Sequence, residues 1–547
     1  MRLARLLTRW GLFLNLTQGR PMIALAALML VALPLPSFAQ EPLAGSDSQY
    51  TVVTILHTND LHGTVVPAAK PGGLAHIGTL VRQIRAAMPN VILVDAGDIT
   101  HGNLTDYTTQ GSGTIAAMNE IGYHAAAAGN HDFDFGQRVL QDVAAKAHFP
   151  FLAANIRTSS GSEWSALKDF IILETSGVKV AVFGLATPQT TQLQWPSTLD
   201  GLVLADPYEA ARSLVPELRS QADVVVALSH LGLPGDERLA REVDGIDFVI
   251  GGHSHTSIDD WRWVGSTLVA QAGAYGEKLG RVDFIVRKWG NGSEIASVNG
   301  RHSLWNELSA PPLGLEYPVK PLLDVPAAVE ADAAVLRAYA PYEEQSAREL
   351  AVVAGESVAA LPGAGGRLAE SEAGNLVADA VRDLAAADVA VIDPGSISAV
   401  GLQPGKVTVG ALYGLIEGYT RQSIVVVRMS GSDLLAGLEK RLSGRKGLRG
   451  LISGAGLSYS KVGETVRVRD VEIAGAPLRM LGSYLVAGQA YVISEMMSVA
   501  PETQVVSEPG SDAREALVAY VRKLGRIRSP GLRRMSLIAQ ENASRSW

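Results

Sequence analysis

Residues 129–134 read Gly-Asn-His-Asp-Phe-Asp, directly after the small-residue run Ala125–Ala128. Six residues bring together an amide, an imidazole and two carboxylates. Asn130 can offer a cation only its neutral side-chain oxygen, whereas His131 can ligate, donate or accept a proton. Asp134 follows three residues later, close enough to orient that ring. A polar turn capping a strand would look similar, so the stretch gains meaning from its companions: HTNDLHG at 57–63, DAGD at 95–98, GGHSH at 251–255 and His230 in SHLG.

Each companion follows a short apolar run. Thr51–Leu56 is β-branched and alternating, Val91–Val94 is short and apolar, and Val178–Leu185, Val224–Leu228 and Phe248–Ile250 repeat the rhythm. These runs read as strands. Between them, Gly72–Arg85 carries Leu74, Ile77, Leu80, Val81 and Ile84 at helical spacing, and Gly113–Ile121 reads as a helix with Gly122 as its cap. Chemistry-bearing residues therefore cluster just past strand ends, where loops of an open α/β sheet converge on one crevice.

The bulk numbers bound the alternatives. At 547 residues the chain exceeds one ordinary domain. A 47% hydrophobic fraction is that of a folded chain. The net charge is −8 and no basic tract follows the N-terminal arginines, so a nucleic-acid polymer has no electrostatic footprint here. Small anions are still possible ligands, because bound cations supply local positive charge. With no cysteine at all, disulfides, zinc–thiolate sites and thiol nucleophiles are excluded. All 11 histidines lie between His57 and His302, which confines any imidazole chemistry to the first half.

The N-terminus carries Arg2, Arg5, Arg9 and Arg20, then 12 apolar residues from Met22 to Leu33, then Ser37-Phe38-Ala39. Twelve residues are too few to cross a hydrocarbon core of about 30 Å, so residues 1–39 read as a cleavable signal peptide rather than an anchor. The expectation is a periplasmic or secreted protein with no membrane anchor after cleavage.

The order and spacing of the five clusters resemble the ligand blocks of dinuclear calcineurin-like metallophosphoesterases, and in particular the bacterial periplasmic 5′-nucleotidases with two domains. The strand rhythm suggests an α/β fold with a layered α/β sandwich as catalytic domain (50–318). After Pro311, Pro312, Pro318 and Pro321 an Ala/Glu-rich stretch reads as a linker helix (319–349). A second α/β region follows (350–525), which the resemblance makes the substrate domain, and then a basic, polar stretch that reads as a loose tail (526–547). The resemblance implies two divalent cations, for which mixed imidazole and oxygen ligands suit Mn, Zn, Co or Fe. Carried over position by position, Asp60, His62 and His255 would hold one ion, Asn130, His230 and His253 the other, and Asp98 would bridge them. His131, oriented by Asp134, would face the phosphoryl group. Asp95, Asp132, His57, His76, His101 and His124 are left as supporting residues; many family members carry Arg where His76 stands.

In that family the second domain recognises the nucleotide through arginines, an Asn-Gly-Gly-Gly-Ile-Arg loop and two aromatic rings. Here GNLVADA at 374–380 matches the opening helix, and Arg367 stands where one family arginine lies. The glycine loop has become DPGSIS at 393–398, Tyr419 is an offset substitute for the first aromatic, and Tyr491 stands for the second. Arg367, Tyr419 and Tyr491 are the candidate substrate-binding residues. Serine cannot imitate the bidentate contact of a lost guanidinium. The implied function is a 5′-nucleotidase that releases phosphate from small nucleotides. The alternatives are a cyclic-nucleotide or nucleotide-sugar diesterase of the same family, a sulfur-ester hydrolase, and a non-catalytic binding protein.

Overall fold

The computed structural model describes residues 48–541 apart from 68–71, 195, 291, 300–319, 326–327, 365–369, 419–422 and 445–448. The expected signal peptide lies outside the described residues.

Two sheets form the first half. One runs Gly292–Val298, Lys278–Trp289, Ser48–Thr58, Val91–Asp95, Ala125–Ala127, Phe151–Leu152, with Leu322–Asp324 beside Lys278–Trp289. The other runs Arg262–Val264, Thr267–Ala270, Phe248–Gly251, Val224–His230, Val178–Ala186, Phe170–Thr175. Alternation along each strand decides the layering. Val53, Ile55, Ile92, Val94, Ala125 and Ala127 meet Val180, Val182, Val224, Val226, Leu228, Phe248 and Ile250 between the sheets. Their neighbours Leu56, Leu93 and Ala126 face outward under helices Leu74–Ala87 and Ser112–Ile121. Ala181, Phe183, Val225, Ala227 and Val249 face the opposite way under Pro207–Gln221 and Leu233–Glu242. The result is a four-layer α/β/β/α sandwich, with central strands buried on both faces. Phe248 and Phe284 meet across the middle with ring centroids 5.1 Å apart; truncating such a residue costs about 3–5 kcal/mol.

Ser48–Thr58 is parallel to Val91–Asp95 (Thr58 beside Asp95), and Val91–Asp95 is parallel to Ala125–Ala127. Phe248–Gly251 is likewise parallel to Val224–His230, which is parallel to Val178–Ala186. Their C-terminal ends, and the loops that follow, therefore lie on the same edge of each sheet.

The expected linker helix is shorter than 319–349. Leu322–Asp324 is a strand on the first sheet, and the helix spans Ala333–Leu350. Asp332 fixes its start by accepting the amides of Ala334 and Val335. It packs against Ser112–Ile121 and Leu104–Thr109 of the first half and Val409–Tyr413 of the second.

The second half has its own core beneath the sheet Leu451–Ser453, Val389–Ile392, Ser483–Gln489, Ile424–Ser430, Gln504–Ser507. Helices Glu372–Ala385, Gly431–Leu442, Ala490–Met497 and Ala513–Leu524 cover it. The loose tail expected at 526–547 is corrected over its described residues, 526–541: Arg526–Ile527 pairs with Val353–Ser357, and Met535–Glu541 pairs in parallel with Ala455–Val462. Arg534 anchors this segment through two bonds to Asp379, at 2.7 and 2.8 Å, and the buried Met535 joins the core.

Candidate metal centre

Five of the marked side chains sit on left-handed backbone: Asp60 (φ 50°), His62 (45°), Asp98 (55°), His253 (73°) and His255 (51°). Such positions cost about 1–3 kcal/mol each and persist only where the surroundings impose them. The surroundings here are explicit. Asp60 N donates to Gly97 O (2.9 Å), His62 N to Asp98 O (3.0 Å) and Gly63 N to Ile99 O (2.8 Å), so two strand-end loops are zipped together. Asp132 gathers the amides of Gly129 (2.8 Å), Ile99 (3.1 Å), Asp98 (3.2 Å) and Thr100 (3.3 Å). A Cβ at Gly129 would lie 2.1 Å from Asp98 Oδ1, so only glycine lets this loop approach.

This framework gathers six of the seven expected ligands into two groups. Asp60, His62 and His255 place ligand atoms within 4.8 Å of one another, as do Asp98, His230 and His253. Asp98 lies between the groups, with Oδ2 3.1 Å from His230 Nε2 and 4.0 Å from His62 Nε2. His62 Nε2 and His255 Nε2 are 3.1 Å apart, and His255 Nε2 is 3.5 Å from Asp60 Oδ1.

Two features test whether these residues fit cations. Asn130 Oδ1 is buried without a hydrogen-bond partner, an expensive state for an amide oxygen unless something electropositive faces it. His230 gives its Nδ1 proton to Ala96 O (2.8 Å), which turns its Nε2 toward the Asp98 carboxylate at 3.1 Å. Only a proton or a cation relieves that opposition. Both features, with the mixed nitrogen and oxygen donors, fit divalent cations.

Electrostatics agree. Burial lowers His62 and His253 to about 4 and lowers His255, keeping these rings in the neutral form that ligates. Burial raises Asp60 to about 7. At Asp98 burial pushes upward, but His230, His131 and His62 outweigh it and hold the carboxyl well below its ordinary value.

His131 opens a 3₁₀ turn. Its amide donates to Asp98 Oδ1 (2.8 Å), and its Nδ1 lies 3.1–3.2 Å from both Asp134 oxygens. Burial opposes protonation of this ring, yet Asp134 and Asp98 raise it to about 10. Its ring is 5.4 Å from that of His62, beside the ligand groups rather than within them.

Some contributors were not expected. Asn59 donates to Asp60 Oδ2 (2.7 Å) and Gly273 O (2.6 Å), and Gln189 Oε1 lies 3.1 Å from His253 Nε2. Gln194 contacts Asp134, and the Tyr275 ring lies 5.4 Å from His62 and 5.5 Å from His255. Asn59 stood inside a quoted cluster, but lone glutamines in a distant loop carry no pattern.

Of the substrate candidates, Arg367 and Tyr419 lie outside the described residues. Tyr491 lies in the first turn of the helix Ala490–Met497 and its hydroxyl donates to Asp393 Oδ2 (2.7 Å). It lines a pocket with Ser396, Glu417, Gln489, Asp512 and Arg514. The halves meet beside that pocket, where Tyr107 donates to Asp512 Oδ2 at 2.8 Å.

Residues 53–257 match the calcineurin-like phosphoesterase family, and residues 352–499 match the 5′-nucleotidase C-terminal domain. The 5′-nucleotidase of Vibrio cholerae is 28% identical over 490 residues, 80% of this chain and 84% of that protein. The trifunctional nucleotide phosphoesterase YfkN of Bacillus subtilis is 30% identical over 438 residues, 72% of this chain, which spans only 28% of that longer protein. The crystal structure of the 5′-nucleotidase precursor from Thermus thermophilus shares the fold, with a TM-score of 0.60 at 24% identity over 89% of this chain and 99% of that one. The two family matches cover more than half of the sequence in the expected order, so the chain belongs to the calcineurin-like phosphoesterases that carry a 5′-nucleotidase C-terminal domain and is a phosphoric ester hydrolase by family.

Proposed function

We propose that this protein is an exported, metal-dependent phosphohydrolase that releases phosphate from nucleoside 5′-phosphates. The observation that carries the reading is Asp98 set between His230 and His62, with the buried, unpartnered Asn130 oxygen one residue before His131, whose amide donates to Asp98. Asp60, His62 and His255 would hold one cation, Asn130, His230 and His253 a second, with Asp98 shared. Bound divalent cations supply Lewis-acid polarisation of a phosphoryl oxygen and make water a competent nucleophile near neutral pH.

The remaining roles belong to the chain. His131 holds a proton beside the ligand groups, Asp134 fixes its ring, and the pair delivers that proton to the leaving alcohol. Tyr491 offers an aromatic face for a base. The family matches and the nucleotide-hydrolysing relatives support the substrate class. The arginine-rich, apolar leader supports export.

A substrate panel with Mn²⁺ tests this reading, comparing p-nitrophenyl phosphate, bis-p-nitrophenyl phosphate and nucleoside 5′-mono-, di- and cyclic phosphates. The highest kcat/KM is expected on a nucleoside 5′-monophosphate. A preference for cyclic nucleotides would reassign the protein as a diesterase, and no hydrolysis of any ester would refute the reading.

A further inference from the structure

The loop after strand Val178–Ala186 reaches the GNHDFD turn from outside it. Gln194 closes the helical turn Thr190–Leu193, its own amide bonded to Thr190 O at 2.8 Å. Its side-chain Nε2 lies 2.6 Å from Asp134 Oδ1 and 3.0 Å from Asn130 O. Both neighbours are acceptors, and an amide nitrogen offers two protons and no lone pair, so the amide orientation is set. One NH₂ group thus grips the main chain of Asn130 and the side chain of Asp134.

That grip has a chemical consequence. Asp134 is 3% exposed, so water does not fix its orientation. With Gln194 donating into Oδ1, the ionised form of Asp134 is favoured, and a carboxylate only accepts, which makes His131 Nδ1 the donor between them. The His131 Nε2 atom is then left for substrate.

We propose that Gln194 is a positioning residue for the hydrolysis: it locks Asp134 as an acceptor, and so sets the tautomer and aim of His131, while tying that pair to Asn130. The role rests on the reading of His131 as the group that protonates the leaving alcohol.

The test uses the full-length, Mn²⁺-loaded protein with adenosine 5′-monophosphate, whose alkoxide leaving group needs a proton, and p-nitrophenyl phosphate, whose phenolate does not. Gln194→Met keeps length and removes the donor. The expected loss of kcat on the nucleotide is about 10–100-fold, the scale of outer partners of a site, with KM changed less than about threefold. The aryl ester should lose less, and metal content and Tm should stay at wild-type values. Gln194→Glu, which sets a carboxylate against Asp134, should lose at least as much as Gln194→Met. The double variant Asp134→Asn/Gln194→Met should lose no more than Asp134→Asn alone, because residues acting as a unit are not additive.

Unchanged kcat in Gln194→Met, equal losses on both esters, or a change confined to KM would each overturn the proposal. His131→Gln, assayed alongside, separates it from the reading beneath it. A wild-type ratio of the two esters in His131→Gln sinks the proton-donor assignment and the proposal with it. A changed ratio there, without one in Gln194→Met, sinks only the positioning role.

Discussion

His230 Nε2 lies 3.1 Å from Asp98 Oδ2, and both side chains are shut away from solvent. The proton on the other ring nitrogen is committed to Ala96 O, so only a second proton or a cation can sit between the facing atoms in this dry setting. Breaking such an arrangement from one side leaves the other uncompensated. Asp98→Ala should therefore lose hydrolysis of aryl and nucleotide esters alike, along with most bound metal. Elemental analysis beside a p-nitrophenyl phosphate assay checks this. Activity within about tenfold of wild type would show that Asp98 is not the shared ligand.

The contact between halves makes a separate prediction. Tyr107 belongs to the short helix Leu104–Thr109, yet its ring joins the core of the second half, 5.3 Å from that of Tyr413. Its hydroxyl donates to Asp512, the N-cap of Ala513–Leu524. Tyr107→Phe should lower stability by about 1–2 kcal/mol, the cost of leaving a buried acceptor short of a donor. Urea unfolding measures it, and metal content should not change.

Acid dependence follows from Asp106. Burial raises this carboxyl from its ordinary 3.8 to about 6, against hydrogen bonds from Thr114 and the His101 amide. The folded state thus binds the proton more tightly than the unfolded one. The resulting stability is fully present below pH 3.8 and is lost as pH rises through about 6. Asp106→Asn cannot ionise, so its Tm relative to wild type should rise as pH increases across that window. A constant difference would contradict the assignment.

Tyr491 is held by Asp393 through its hydroxyl, with the Arg441 guanidinium 5.7 Å from its ring. If the ring is a base platform, Tyr491→Ala should weaken nucleotides by about 1–3 kcal/mol, the scale of one base–aromatic stack. Aryl esters should be spared. Tyr491→Phe keeps the ring and should retain most nucleotide activity. Equal losses on both substrates would remove Tyr491 from recognition.

The expected strands and ligand loops were legible because each reports itself locally. Val224–Leu228 is a continuous apolar run because both its faces are covered, and the residues that follow are of ligand types. The bond from Gln194 to Asp134 spans 60 positions and involves one ordinary amide, so no local pattern announces it. The strand Met535–Glu541 was hidden for a related reason: its partner strand Ala455–Val462 lies far away in sequence, and the basic residues before it read as solvated until Arg534 finds Asp379. The helix Ala333–Leu350 starts later than its alanine-rich composition suggests, because composition does not mark a start. Asp332 marks it, by capping.

Metal stoichiometry bears on the whole account most directly. Purified full-length protein, saturated with Mn²⁺ and freed of excess ion, should carry two ions per chain by elemental analysis. Chelation should abolish ester hydrolysis, and stepwise return of Mn²⁺ should restore it in proportion to occupancy. Full turnover by protein shown to be metal-free would contradict the account.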